Sequence, residues 1–114
     1  MDKTIEEIGD IVVEYNNTEI TDGAKLNEQL KQLTTKLFYI ETHRAKAHEY
    51  FEFIINENVK EGTSVARATN EANIRVPEMY KLRRLLESGY RVVDAMRTNI
   101  SFLKTEMSNI AKNY

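Results

Sequence analysis

Residues 26–58, LNEQLKQLTTKLFYIETHRAKAHEYFEFIINEN, decide the fold. Leu26, Leu30, Leu33, Leu37, Ile40, Arg44, Ala47, Phe51, Ile54 and Asn58 recur at spacings that alternate four and three. That period puts one line of side chains along a helix, at the a and d positions that face another helix. A second ladder runs through Met79, Leu82, Leu86, Gly89, Val93, Met96, Ile100, Leu103, Met107, Ile110 and Tyr114. The two ladders predict long helices over 24–60 and 77–114, joined by residues 61–76. Folded back about the middle of that connector, they form an antiparallel coiled-coil hairpin. Its register pairs Leu30 with Met107, Leu37 with Ile100 and Phe51 with Leu86. Ala47 then faces Gly89, and Arg44 faces Val93 beside Asp94, either as a polar contact that locks register or as an arginine that snorkels out of the seam.

Outward from this hairpin, Thr4-Ile5-Glu6-Glu7 reads as a capping box, Thr4 accepting from the backbone at Glu7 and Glu7 reaching back. Ile5, Ile8, Val12 and Tyr15 share one face of the short helix it opens, which is too short to stand alone and must dock. Asn16 to Gly23 reads as a loop, with Asp22 starting the next helix. In the connector, Gly62 stops one helix and Thr63-Ser64 caps another, a short helix at the hairpin tip. Val76-Pro77 restarts the chain. The expected architecture is all-α: a single domain over 1–114, with an N-terminal docking helix and loop (1–23), the long helix 24–60, the tip 61–76 and the long helix 77–114.

Composition supports that class. One proline and four glycines in 114 residues supply few turns for a sheet protein. The absence of cysteine removes disulfides, thiolate metal sites and a cysteine nucleophile. The opening MDKTIEEIGD lacks a signal-peptide pattern, and no apolar run approaches the roughly 20 residues of a membrane span, so a soluble, cytoplasmic protein is expected. Phe38, Tyr39 and Phe53 project from the outer face of the first long helix, while Leu85 and Val92 widen the apolar face of the second. A lone hairpin cannot cover them, so they mark contact with the docked first helix or with another subunit, and homo-oligomerisation is expected.

Charge divides the chain. Residues 1–59 carry six Lys and Arg against twelve Asp and Glu, and residues 60–114 carry ten against six, giving minus six and plus four. This is either complementarity between neighbouring helices or a basic surface for a polyanion. Lys81, Arg83, Arg84, Arg91, Arg97 and Lys104 are the candidate phosphate contacts. Tyr80 and Tyr90 are interleaved with them, the combination of cations and aromatic faces that tracks a single strand. Arg67 and Arg75 near the tip are a weaker candidate for an anionic ligand. Catalytic signals are lacking. His43 and His48 are five apart on a helix and cannot share a metal, His48 with Glu52 reads as a surface pair, and no phosphate loop or nucleophile motif occurs. A non-enzyme without metal or cofactor is expected.

Gly62-Thr63-Ser64-Val65-Ala66 and the run from Asp94-Ala95-Met96-Arg97 to Met107 resemble small helical-hairpin proteins of phage replication and recombination modules. Leu85-Leu86-Glu87 through Arg97 is similar, more faintly, to the recombination mediator of T-even-type phages. The resemblance covers about the last half of the chain. It implies an oligomeric hairpin that binds single-stranded DNA and helps load a recombinase, and it carries no active-site residue; the acidic first half departs from it. Two other functions fit the same residues. One is a phage anti-defence protein that inhibits a host immune protein or sequesters its nucleotide messenger, and the other is a structural or chaperone-like coiled-coil adaptor.

Overall fold

The computed structural model of the chain describes residues 1–112 as four helices, with no strand among them. They are α1 (Asp2–Asn16), α2 (Gly23–Lys60), α3 (Val65–Arg75) and α4 (Glu78–Lys112). Tyr114, the last rung of the second ladder, lies outside the described residues. The long helices α2 and α4 pack together, and among the described residues no helix is long and apolar enough to cross a membrane. The packing forms two compact units. The first holds residues 1–38 and those from Glu87 onward, and the second holds residues 39–86.

Local signals set most helix ends. Asp22 Oδ1 accepts from the Lys25 backbone N–H at 3.1 Å, satisfying one of the unpaired donors that open α2. At the other end of α2, Gly62 takes a left-handed φ of 93°. The Thr63 N–H then returns to the Asn58 carbonyl and the Gly62 N–H to Val59, the paired bonds of a Schellman stop. Ser64 Oγ accepts from Arg67 N at 3.3 Å to open α3. The capping box at Thr4 does not form. Helix α1 already begins at Asp2 with no side-chain cap, and Glu7 instead pairs with the Lys36 ammonium of α2.

In the first unit α1 packs on α2 and α4, burying Ile8 and Ile11 with Leu26, Leu33, Leu37, Val93 and Met96. Polar contacts hold it there: Glu7 with Lys36, Glu14 with Lys25 at 3.8 Å and Asn99 Nδ2 donating to Tyr15 Oη at 2.7 Å, while Gln29 Nε2 donates to Thr18 Oγ1 just past the helix at 2.8 Å. Gln29, and not Leu30, is the fully buried side chain on that turn of α2, while Leu30 is half-buried.

The register differs from the expected one. A Cβ at Gly89 would stand 2.5 Å from Leu37 Cδ2, so Leu37 meets Gly89, eleven residues before Ile100. Gly23 likewise lies beside Leu103. The pairings of Leu37 with Ile100, Ala47 with Gly89 and Leu30 with Met107 are thereby replaced. Met107, left beyond the start of α2, is 70% exposed, and Ile110 is exposed with it.

The second unit supplies the reason. Ile54, near the end of α2, is buried against Ala72 of α3 and Val76, with Ala47, Phe51, Ile55 and Met79 packed around them. Phe51 therefore belongs to a cluster built by α2, α3 and the start of α4, in place of the expected pair with Leu86. The last turns of α2 are covered by α3, so α4 meets α2 further back. Eleven residues are about three helical turns, which returns an apolar ladder onto itself and keeps the new pairing apolar.

Candidate functional site

Within the second unit the three helices leave a recess. Arg44, His48 and Phe51 recur at four and three along α2 and so share one face; at the start of α4 Met79 and Arg83, four apart, share a face with Tyr80 beside them, and Asn73 comes from α3. Together they line a recess of about 300 Å³. Phe51 and Met79 belong to the packed cluster beneath, while Arg44, His48, Asn73, Tyr80 and Arg83 are exposed. A smaller recess of about 260 Å³, lined by Glu41, Arg44, Ala45 and His48, adjoins it on α2.

Arg44 leaves the seam, the second of the two readings that its place in the ladder allowed. It is exposed and makes no hydrogen bond or ion pair among the described residues. Its position in an apolar ladder was the signal on α2 of this site, since an arginine there must either find a partner or open the seam. His48 Nε2 stands 3.8 Å from Glu52 Oε1 and its ring stacks on Phe51 at 6.5 Å between centroids. His43 lies in edge contact with the Tyr39 ring at 4.5 Å, separate from His48.

The cations named from the sequence fall in different places. Arg84 Nη1 donates to Tyr80 Oη at 3.1 Å and its guanidinium lies 5.7 Å from the ring centroid, so ring and cation form one exposed unit. Arg83 turns to the recess, and Lys81, two residues earlier, points to the opposite side of α4. Lys81, Arg83 and Arg84 belong to the second unit, and Arg91, Arg97 and Lys104 to the first; all six are exposed. In the first unit Arg97 and Lys104, seven apart, share a face of α4, and Arg91 lies about 120° around from Arg97.

Helix α3 does not bring Arg67 and Arg75 to one point. Arg67 sits in its first turn and Arg75 in its last, about 12 Å apart along the axis, with Arg75 Nη2 3.2 Å from Glu71 Oε1. Phe38, Tyr39 and Phe53 remain exposed, so α1 does not cover them; it docks on the side of α2 that carries Lys36. Leu85 and Val92 are half-buried.

Among the described residues no group of three or more His, Asp or Glu converges to hold a metal ion. Away from the recess, the Glu7 carboxyl is held below its usual range chiefly by the hydrogen bond from Lys36. No protein-family model, curated protein or solved structure matches this chain. The class that fold and surface define is an all-helical protein whose second unit exposes cations beside an aromatic ring.

Proposed function

We propose that this chain is a non-enzymatic, oligomeric accessory protein of phage type that binds single-stranded DNA and works beside recombination proteins. The observation that carries this reading is the pairing of Arg84 with the exposed Tyr80 ring, with Arg83 one residue away. A guanidinium supplies a phosphate contact that no base sequence alters, and an exposed tyrosine supplies a face on which any base stacks. Arg91, Arg97 and Lys104 are exposed cations of the first unit, a separate set of candidate phosphate contacts.

The test is fluorescence anisotropy with a labelled, unphosphorylated dT30 strand across a salt series. Two phosphate contacts, from Arg83 and Arg84, give a slope of log affinity against log salt of about −1.4. Arg84→Gln weakens binding by severalfold, and Tyr80→Ala weakens it with little change in slope. No retention of dT30 at low salt overturns the reading.

A second reading, a helical adaptor that docks a partner or further copies of itself, is favoured by Phe38 and Phe53, which are 69% and 58% exposed. Large aromatic side chains left in water on a helix are the usual anchors of an interface. Light scattering distinguishes the two: Phe53→Ser lowers the oligomer mass if these side chains are subunit contacts and leaves dT30 binding by each chain unchanged.

A further inference from the structure

We propose that the recess in the second unit is a binding site for a single 5′-phosphorylated nucleotide, with Arg44 and Arg83 taking the phosphate and Tyr80 and Phe51 flanking the base. The inference stands on the cavity and not on strand binding along α4.

Four observations converge on that ligand. Two guanidiniums from different helices line one space, and a guanidinium offers a planar fork of donors matched to a phosphate oxygen pair. Arg44 has no internal partner among the described residues, which leaves its donors for a ligand. The Asn73 amide and the His48 imidazole supply further polar groups, and an amide can both donate to and accept from a base edge. The remaining walls are the Tyr80 and Phe51 rings, suited to a flat heterocycle.

Size selects among anions. About 300 Å³ is at the small end of ligand sites, which run from roughly 300 to 1,000 Å³, so it admits one nucleotide and not a run of them. Inorganic phosphate would leave both rings uncovered. Glu41 lines the adjoining recess with Arg44 and His48, and Glu52 Oε1 stands 3.8 Å from His48 Nε2, so the phosphate lies toward Arg83, on the side away from these two carboxylates.

The ligand has two sources, a free nucleotide or the phosphorylated end of a strand, and the experiment separates them. Isothermal titration of the whole chain is run with dTMP, thymidine, dT10 carrying a 5′-phosphate and dT10 without one. Binding of dTMP well above thymidine assigns the site to a free nucleotide. Binding of 5′-phosphorylated dT10 alone assigns it to a strand end. In either case Arg44→Gln and Arg83→Gln each weaken the interaction about tenfold, while Lys31→Gln, on a separate recess of the first unit, leaves it unchanged. A second readout needs no substitution: ligand moves the NMR signals of the Asn73 side-chain amide and the His48 ring. Equal binding of the phosphorylated and unphosphorylated forms, no binding of any of them, or binding indifferent to both arginine changes overturns the proposal. Failure of dT30 retention with dTMP still bound removes strand binding and leaves this site standing.

Discussion

Leu37 packs onto Gly89 so closely that a Cβ at position 89 would meet Cδ2, Cδ1 and Cγ of Leu37 at 2.5, 3.0 and 3.3 Å. This contact fixes the register of α2 against α4 in the first unit, because only glycine leaves room there for a fully buried leucine.

Gly89→Ala is therefore expected to destabilise the chain. Alanine gains about 1 kcal/mol of helix propensity over glycine, and overpacking a filled core costs about 1–3 kcal/mol, so a net loss of about 1 kcal/mol is expected in urea unfolding. Leu37→Ala alone costs about 2–5 kcal/mol but empties the space the new methyl needs. In that background Gly89→Ala becomes neutral or favourable. Equal costs in both backgrounds would disprove the contact.

Glu7 and Lys36 predict a pH dependence of known sign. The Lys36 hydrogen bond lowers the Glu7 pKa; partial desolvation opposes this, and the charges of Lys36 and Lys3 add to the lowering. A carboxyl whose folded pKa is depressed contributes stability that is fully present above its unfolded value, about 4.3, and is lost as pH falls through the folded value. Glu7→Gln should lower the unfolding midpoint at pH 7, and the difference from the parent should shrink as pH falls below the unfolded value. A difference that persists unchanged at pH 3 would show that the pair does not act electrostatically.

Two glycines should respond in opposite directions. Gly62 sits at a φ of 93°, a region that costs an alanine roughly 1–2 kcal/mol, so Gly62→Ala lowers the melting temperature. Gly9 lies inside α1 with nothing within 4 Å of an added Cβ, and Gly9→Ala should gain up to about 1 kcal/mol from helix propensity. Thermal melts of the two variants moving the same way would contradict these backbone assignments.

Gln29 tests what a buried amide contributes. Its Nε2 donates to Thr18, while its Oε1 is buried without a partner among the described residues. Gln29→Met keeps the length, removes the unpaired oxygen and should leave stability within about 0.5 kcal/mol of the parent. Thr18→Val leaves the amide donor buried and unpaired, and should cost about 1–3 kcal/mol. Chemical denaturation of both variants measures the asymmetry, and a larger loss for Gln29→Met would reverse the assignment.

Legibility followed the distance between interacting residues. The caps at Asp22 and Ser64 and the stop at Gly62 join residues a few positions apart, and the four–three ladders report each helix face directly. Glu7 looked like part of a capping box because Thr4 stands three residues before it; its actual partner, Lys36, is 29 residues on, and local spacing carries no trace of it. At the recess, Arg83 and Tyr80 were legible as a cation beside an aromatic ring. Their meeting with Arg44, His48 and Asn73 was not, because it depends on where α4 lands along α2.

The sequence by itself determined four helices, their approximate ends and the apolar line along each long one, because these follow from hydrogen bonds and periodicity within a few residues. Tertiary structure decided which rungs of the two ladders meet. A periodic ladder is nearly degenerate to a shift of about three turns, and α3, by covering Ile54 with Ala72 and Val76, broke that degeneracy. The shift set Leu37 on Gly89, and the start of α4 brought Arg83 to the recess that Arg44 lines.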